Sequence, residues 1–243
     1  KNTKERLSMN ADSSVTGEAV KVKTIAQLQK GRIKLKRHCR YSKLGATLPT
    51  FKDWRNTSTP SIPAAKYQGS NGLNTCSSGW AFAATSHVSH IIYQIEKGFK
   101  TIRVGLVDCV PYSGCGGGDF TDAYDYIDYK NGIASDLDYP YISGTTGSKG
   151  LAKQISEEDM ETLHFKVRLI VPSNRDYIVQ AFKTALLDQP FAVTMYVDTT
   201  NFPQYKSGIL ECPTSCGATH TVLLIGTQQI TGLFEILWEK IGE

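Results

Sequence analysis

The chain has 243 residues, 40% hydrophobic and 21% charged, which makes it globular and able to bury a sizeable core as one large domain or two small ones. No run approaches the ~18 apolar residues of a membrane-spanning helix, so no membrane span is expected. A net charge of +4 conceals an asymmetry: residues 1–47 carry twelve Lys and Arg against three acids, giving +9, and residues 48–243 carry fifteen against twenty, giving −5.

The chain opens on Lys1, so a fragment, or a chain that has lost a leader, is expected. In the basic extension of residues 1–47, Val20-Lys21-Val22-Lys23 and Arg32-Ile33-Lys34-Leu35-Lys36-Arg37 alternate apolar and basic residues, which predicts two short strands about Gly31 with the charges on one side. Lys30, Arg32, Lys34, Lys36, Arg37 and Arg40 then form a ribbon suited to phosphates. The plainer alternative is a solvated tail or a propeptide remnant. The body begins at Leu48 with an extended segment. After a polar turn, Ala81, Ala84, Val88, Ile91, Ile92 and Ile95 recur at steps of three and four, which predicts a helix buried on one face and stopped at Gly98. Ser77 and Ser78 are its candidate N-caps. Phe120, Ala123, Tyr124 and Ile127 mark a second amphipathic helix, ended by Asn131-Gly132. A strand over Val167 to Pro172, a helix over Asn174 to Asp188, a strand from Gln189 to Met195 and a buried strand after His220 complete the pattern.

Several of these stretches carry recognisable motifs. Gln68-Gly69-Ser70 followed by Cys76-Ser77-Ser78-Gly79-Trp80-Ala81-Phe82 resembles the Q-G-x-C-G-S-C-W-A-F signature of papain-like cysteine peptidases. Leu106-Val107-Asp108-Cys109, Cys115-Gly116-Gly117-Gly118, Tyr139-Pro140-Tyr141 and His220 ahead of its strand resemble later motifs of the same family. The resemblance implies an α+β fold of two lobes. The helical lobe would occupy about 66–150; the antiparallel β lobe would occupy about 160–243 together with a crossing segment at 48–65. It also implies a disulfide between Cys76 and Cys115, main-chain pairing of a peptide at Gly117 and Gly118, an oxyanion donor at Gln68 and a catalytic base at His220.

The sequence departs from the family at the centre of its chemistry. The nucleophilic cysteine should precede Trp80, where Gly79 stands without a side chain, so no thiolate forms there. Asn71 to Thr75 look inserted, which would displace Gln68 from the oxyanion. The family's orienting asparagine becomes Glu239, and its final strands are absent, so the β lobe reads as C-terminally incomplete with an edge to cover. Cys39, Cys109, Cys212 and Cys216 are left without their family partners. Cys212, Cys216 and His220 have a spacing zinc uses, but no fourth ligand is evident, and neither a metal nor any other cofactor is expected. Asn56-Thr57-Ser58 is a glycosylation sequon.

The expected function is that of a non-catalytic structural or binding subunit. In this reading a larger assembly holds it by the basic extension, RNA being the anionic partner, as in an organellar ribosome of the mitochondrion or plastid. The alternative is a secreted or vacuolar pseudopeptidase, similar to papain-like seed proteins that also carry glycine at this position. An active cysteine peptidase is the second alternative, against which Gly79 argues.

Overall fold

The computed structural model describes residues 51–57, 62, 66, 68–69, 76–96, 105–135, 139–150, 175–198, 202, 205 and 217–228, together with the backbone of short strands at 21–24, 28–29, 32–34, 38–41, 160–164 and 236–237. The elements run β1 (Lys21–Thr24), β2 (Leu28–Gln29), β3 (Arg32–Lys34), β4 (His38–Tyr41), β5 (Phe51–Asp53), α1 (Gly79–Glu96), α2 (Leu106–Cys109), α3 (Phe120–Lys130), β6 (Gly132–Ala134), α4 (Ser143–Thr146), β7 (Met160–His164), α5 (Arg175–Asp188), β8 (Phe191–Val197), β9 (Ala218–Leu224), β10 (Gly226–Gln228) and β11 (Ile236–Leu237). This is the expected α+β pattern. The strand predicted over 167–172 lies outside the described residues.

The central helix α1 forms where the apolar stripe predicts it. Ala81, Ala84, Val88, Ile91 and Ile92 are all buried, and Ala81, Ala84, Val88 and Ile92 share one core with Trp80, Phe82, Leu106, Val107, Val110, Ala123, Tyr124 and Ile127. Burying one such Val, Leu or Ile side chain contributes roughly 1.5–3 kcal/mol. The helix ends at Glu96, two residues before the glycine expected to stop it. Asp119 caps α3 by accepting from the Thr121 amide at 2.8 Å, and Asn131, at φ 57°, ends it in the left-handed conformation that a short polar side chain tolerates.

On its other side α1 packs against β8 and β9, which pair antiparallel over seven residues from Phe191↔Leu224 to Val197↔Ala218, with β11 on the far edge of β9. The crossing segment is tied to this half of the molecule. Its strand β5 pairs with β10, the Trp54 amide donates to the Ile225 carbonyl at 3.0 Å, and the Trp54 indole N–H donates to the Leu186 carbonyl of α5 at 2.9 Å. The edge of the same indole meets His90 of α1, with ring centroids 5.0 Å apart. Trp54 thus joins α1 to the β half.

The basic extension differs from expectation. Two strands about Gly31 become four short ones: β2 pairs antiparallel with β3, and β1 pairs antiparallel with β4. β3 also runs parallel to β7, which pairs antiparallel with β6, so the extension joins a four-stranded sheet of order β2-β3-β7-β6. Local alternation signals a strand but not its partner, and here the partner lies about 130 residues further along the chain.

Candidate active site

The first residue of α1 is Gly79. A Cβ built on it would lie 3.0 Å from Cε1 and 3.5 Å from Nδ1 of His220, and 3.2 Å from the carbonyl oxygen of Thr221. Position 79, where the resemblance expects a cysteine, therefore faces the imidazole. His220 is held on β9 opposite Met195 of β8, with the Phe202 ring edge-on at 5.3 Å. Burial disfavours the charged imidazole and lowers its pKa to about 4, so the ring is neutral near pH 7.

Neither neighbour of position 79 offers a free nucleophile. Cys76 is in a disulfide with Cys115, as the resemblance implied. Ser78 is fully buried, and its hydroxyl lies 2.8 Å from the Tyr141 hydroxyl. Tyr141 spends its own proton on the Gln68 carbonyl at 2.8 Å, so Ser78 is the donor of the pair. The expectation that the Ser78 side chain caps α1 is accordingly corrected: its carbonyl receives the amides of Ala81 and Phe82, while its hydroxyl belongs to Tyr141. Ser77 is exposed, and its amide donates to the Cys115 carbonyl at 2.8 Å.

Gln68 stays beside the start of α1 despite the segment between them. Its side-chain amide donates to the Cys76 carbonyl at 2.6 Å, and Gly69, at φ 90°, lies so close to Gly144 that an added Cβ would sit 2.5 Å from the latter's backbone. Only glycine meets both demands there. The Gln68 amide, the group the family aims at an oxyanion, is engaged by a carbonyl of its own chain. Residues 71–75 and Glu239 lie outside the described residues.

The glycine rim is held from below. Gly117 takes φ 112° with open space where a Cβ would point, whereas an added Cβ at Gly118 would strike the Trp80 ring at 2.6 Å. Gly114 and Gly117 exchange main-chain bonds of 3.0 and 3.2 Å, and the Trp80 indole donates to the Gly114 carbonyl at 3.2 Å. Lys149 donates to the Val110 and Ser113 carbonyls at 2.9 and 3.0 Å. The buried Asp108 carboxylate accepts from the Tyr139 hydroxyl, the Ser143 hydroxyl and the Gly150 amide at 2.9, 3.0 and 2.7 Å. Sequence reasoning passed over Ser143 and Lys149 and gave Tyr141 no role. The Tyr139-Pro140-Tyr141 motif was the available signal for the last.

Among the described residues Cys109 is the free thiol, half-buried, and burial pushes its pKa up, away from the reactive thiolate. Within the same residues no group of side chains fits a metal ion and no helix is long and apolar enough to cross a membrane. Lys30, Lys36 and Arg37 lie outside the described residues; Arg32 and Lys34 fall on β3 and Arg40 on β4, known there by backbone alone.

The family model for "Papain family cysteine protease" matches residues 48–233. Stem bromelain of Ananas comosus is 31% identical over 200 residues, covering 81% of this chain and 85% of that protein. A protein of Glycine max named P34 probable thiol protease is 32% identical over 193 residues, 76% of this chain; the chain spans only 47% of that longer relative. A solved structure of the Ananas comosus bromelain protease in complex with the E64 inhibitor superposes with a TM-score of 0.59 at 28% identity, covering 81% of this chain and 86% of that one.

Proposed function

The chain belongs to the papain family of cysteine proteases, and from that premise we propose that it is a non-catalytic member that keeps the family's cleft as a binding surface. The observation that carries this reading is the glycine facing His220: an imidazole in place with no thiol to deprotonate. Three further features support it. Ser78 and Cys76 are committed elsewhere, the Gln68 amide is bonded to Cys76, and the imidazole is neutral through burial. The rim is supported by Trp80 against Gly118 and by the main-chain pair of Gly114 and Gly117, so in this reading a surface for a peptide persists without the means to cut it. The native protein, incubated with an epoxide probe of papain-like enzymes and with peptide substrates, is expected to be neither labelled nor active. Labelling at any cysteine, or turnover abolished by His220→Ala, would overturn the reading.

The charge asymmetry favours a second reading, in which the basic extension tethers the protein to RNA within a larger assembly. Such contacts go to phosphates, so with ~6 of them affinity should fall roughly a thousandfold between about 50 and 200 mM salt. Pull-down of the native protein at both salt levels tests this. RNA recovered at low salt and lost at high salt supports the reading, and salt-insensitive recovery without RNA rejects it.

A further inference from the structure

We propose that Asn56 carries an N-linked oligosaccharide, which places the chain in an oxidising secretory compartment. The sequence supplies the acceptor motif, Asn56-Thr57-Ser58, with no proline in the middle position. The structure supplies the presentation, since Asn56 is exposed at the end of a turn that its own amide closes on the Asp53 carbonyl at 3.2 Å. That turn has a fixed base. Trp54 is bonded through its amide to Ile225 and through its indole to Leu186, and Arg55 pairs with Asp53 at 2.8 Å. The acceptor residue is therefore exposed on a turn whose base is bonded to the β half of the molecule. Ser58 enters through the sequence alone.

An independent observation points to the same compartment. Cys76 and Cys115 are bonded across the start of α1, and such bonds form and persist where the environment is oxidising, while cytosolic thiols are kept reduced. In the modification, the side-chain amide nitrogen of Asn56 attacks the anomeric carbon of a lipid-pyrophosphate-linked oligosaccharide. The new C–N bond forms as the C–O bond to pyrophosphate breaks; the lipid pyrophosphate departs and one amide proton passes to a base of the transferase. A chain modified in this way does not belong to an organellar ribosome, so this inference selects against that form of the RNA reading. It leaves the non-catalytic reading untouched, because a glycan on this turn neither requires nor forbids a nucleophile at position 79.

The test uses the full chain isolated from its native source, digested with an N-glycosidase that converts the acceptor asparagine to aspartate. Expected are a shift in electrophoretic mobility and a peptide bearing Asp at position 56. Asn56→Gln and Ser58→Ala variants, made in a secreting host, should each lack the shift. Recovery of the native peptide with unmodified Asn56, or of the native protein with Cys76 and Cys115 as free thiols, overturns the proposal. Either result would leave the epoxide-probe outcome as a separate question.

Discussion

Restoring the nucleophile by Gly79→Cys should not restore a papain-like enzyme, and the shortfall can be worked from the site. The new Cβ would stand 3.0 Å from the His220 ring and 3.2 Å from a backbone carbonyl, so the imidazole must shift by a few tenths of an ångström. Forming the reactive ion pair then moves a proton from a thiol of ordinary pKa near 8.5 to an imidazole held at about 4. A gap of ~4.5 units corresponds to about 6 kcal/mol against transfer. Attraction between the resulting charges returns about 4 kcal/mol at roughly 4 Å and an effective dielectric near 20, and the amides at the start of α1 return about 1 kcal/mol. The balance, about 1 kcal/mol, leaves the neutral pair favoured roughly fivefold. The assay is alkylation of the variant by iodoacetamide as a function of pH, with the unsubstituted protein as blank. Because the internal proton transfer does not depend on pH, a shoulder of about one-sixth of the high-pH rate should reach down to about pH 4, the main rise should come with an apparent pKa of about 8.5, and peptide turnover should stay near background because the Gln68 amide is engaged by Cys76. A low-pH plateau higher than about half the high-pH rate would show that the ion pair is the favoured form and would refute the reasoning.

Two further outcomes follow from buried polar groups. His87 is buried against Tyr124, its pKa lowered to about 3 by burial and by His90, and His220 lies at about 4. Both values sit below the unfolded ~6.5, so the stability these rings contribute is complete above that pH and is lost as pH falls toward 4, by about 2.7 kcal/mol per ring at pH 4.5. Urea midpoints should drop accordingly between pH 7 and 4.5, and His87→Gln should flatten the decline; an unchanged slope in that variant would show that His87 is not a source of it. Asp108→Ala strips three donors of their acceptor. A loss of about 3 kcal/mol or more is expected, read as a lowered thermal midpoint, and a loss below about 1 kcal/mol would mean that water replaces the carboxylate.

What the sequence made legible was periodic or local. The stripe from Ala81 to Ile92 announced α1, the spacing of Phe120, Ala123, Tyr124 and Ile127 announced α3, and the resemblance to papain-like peptidases placed His220 by a strand, which the structure shows as β9. The less legible features are contacts between segments far apart in the chain. Nothing near Ser78 in sequence says that its hydroxyl will be claimed by Tyr141, 63 residues on, and the local rule for a serine before a helix favours a cap instead. Likewise nothing local to Gln68 says that its side-chain amide will donate to the carbonyl of Cys76, eight residues later. Five additional residues cost little in closure entropy when the chain on either side is pinned, as it is here by Gly69 against Gly144 and by the disulfide.

The separation of folding from chemistry at this site explains how the fold can do without a side chain at position 79. Position 79 needs no side chain to hold α1, because the burial that fixes the helix comes from Trp80, Ala81, Phe82, Ala84 and Val88, and the bond that fixes its start comes from Cys76 and Cys115. A glycine at that first helical residue gives up little, since interior helix positions, not the first turn, carry most of its propensity cost. His220 and Gln68, by contrast, are built into packing: one lies against Phe202 between β8 and the helix start, the other closes the chain onto Cys76. Each therefore has a structural reason to remain whether or not a peptide bond is ever cut. Finding His220 and Gln68 in place is then no argument for activity by itself, and on the non-catalytic reading proposed above the side chain absent at Gly79 is one that would serve chemistry without serving the fold.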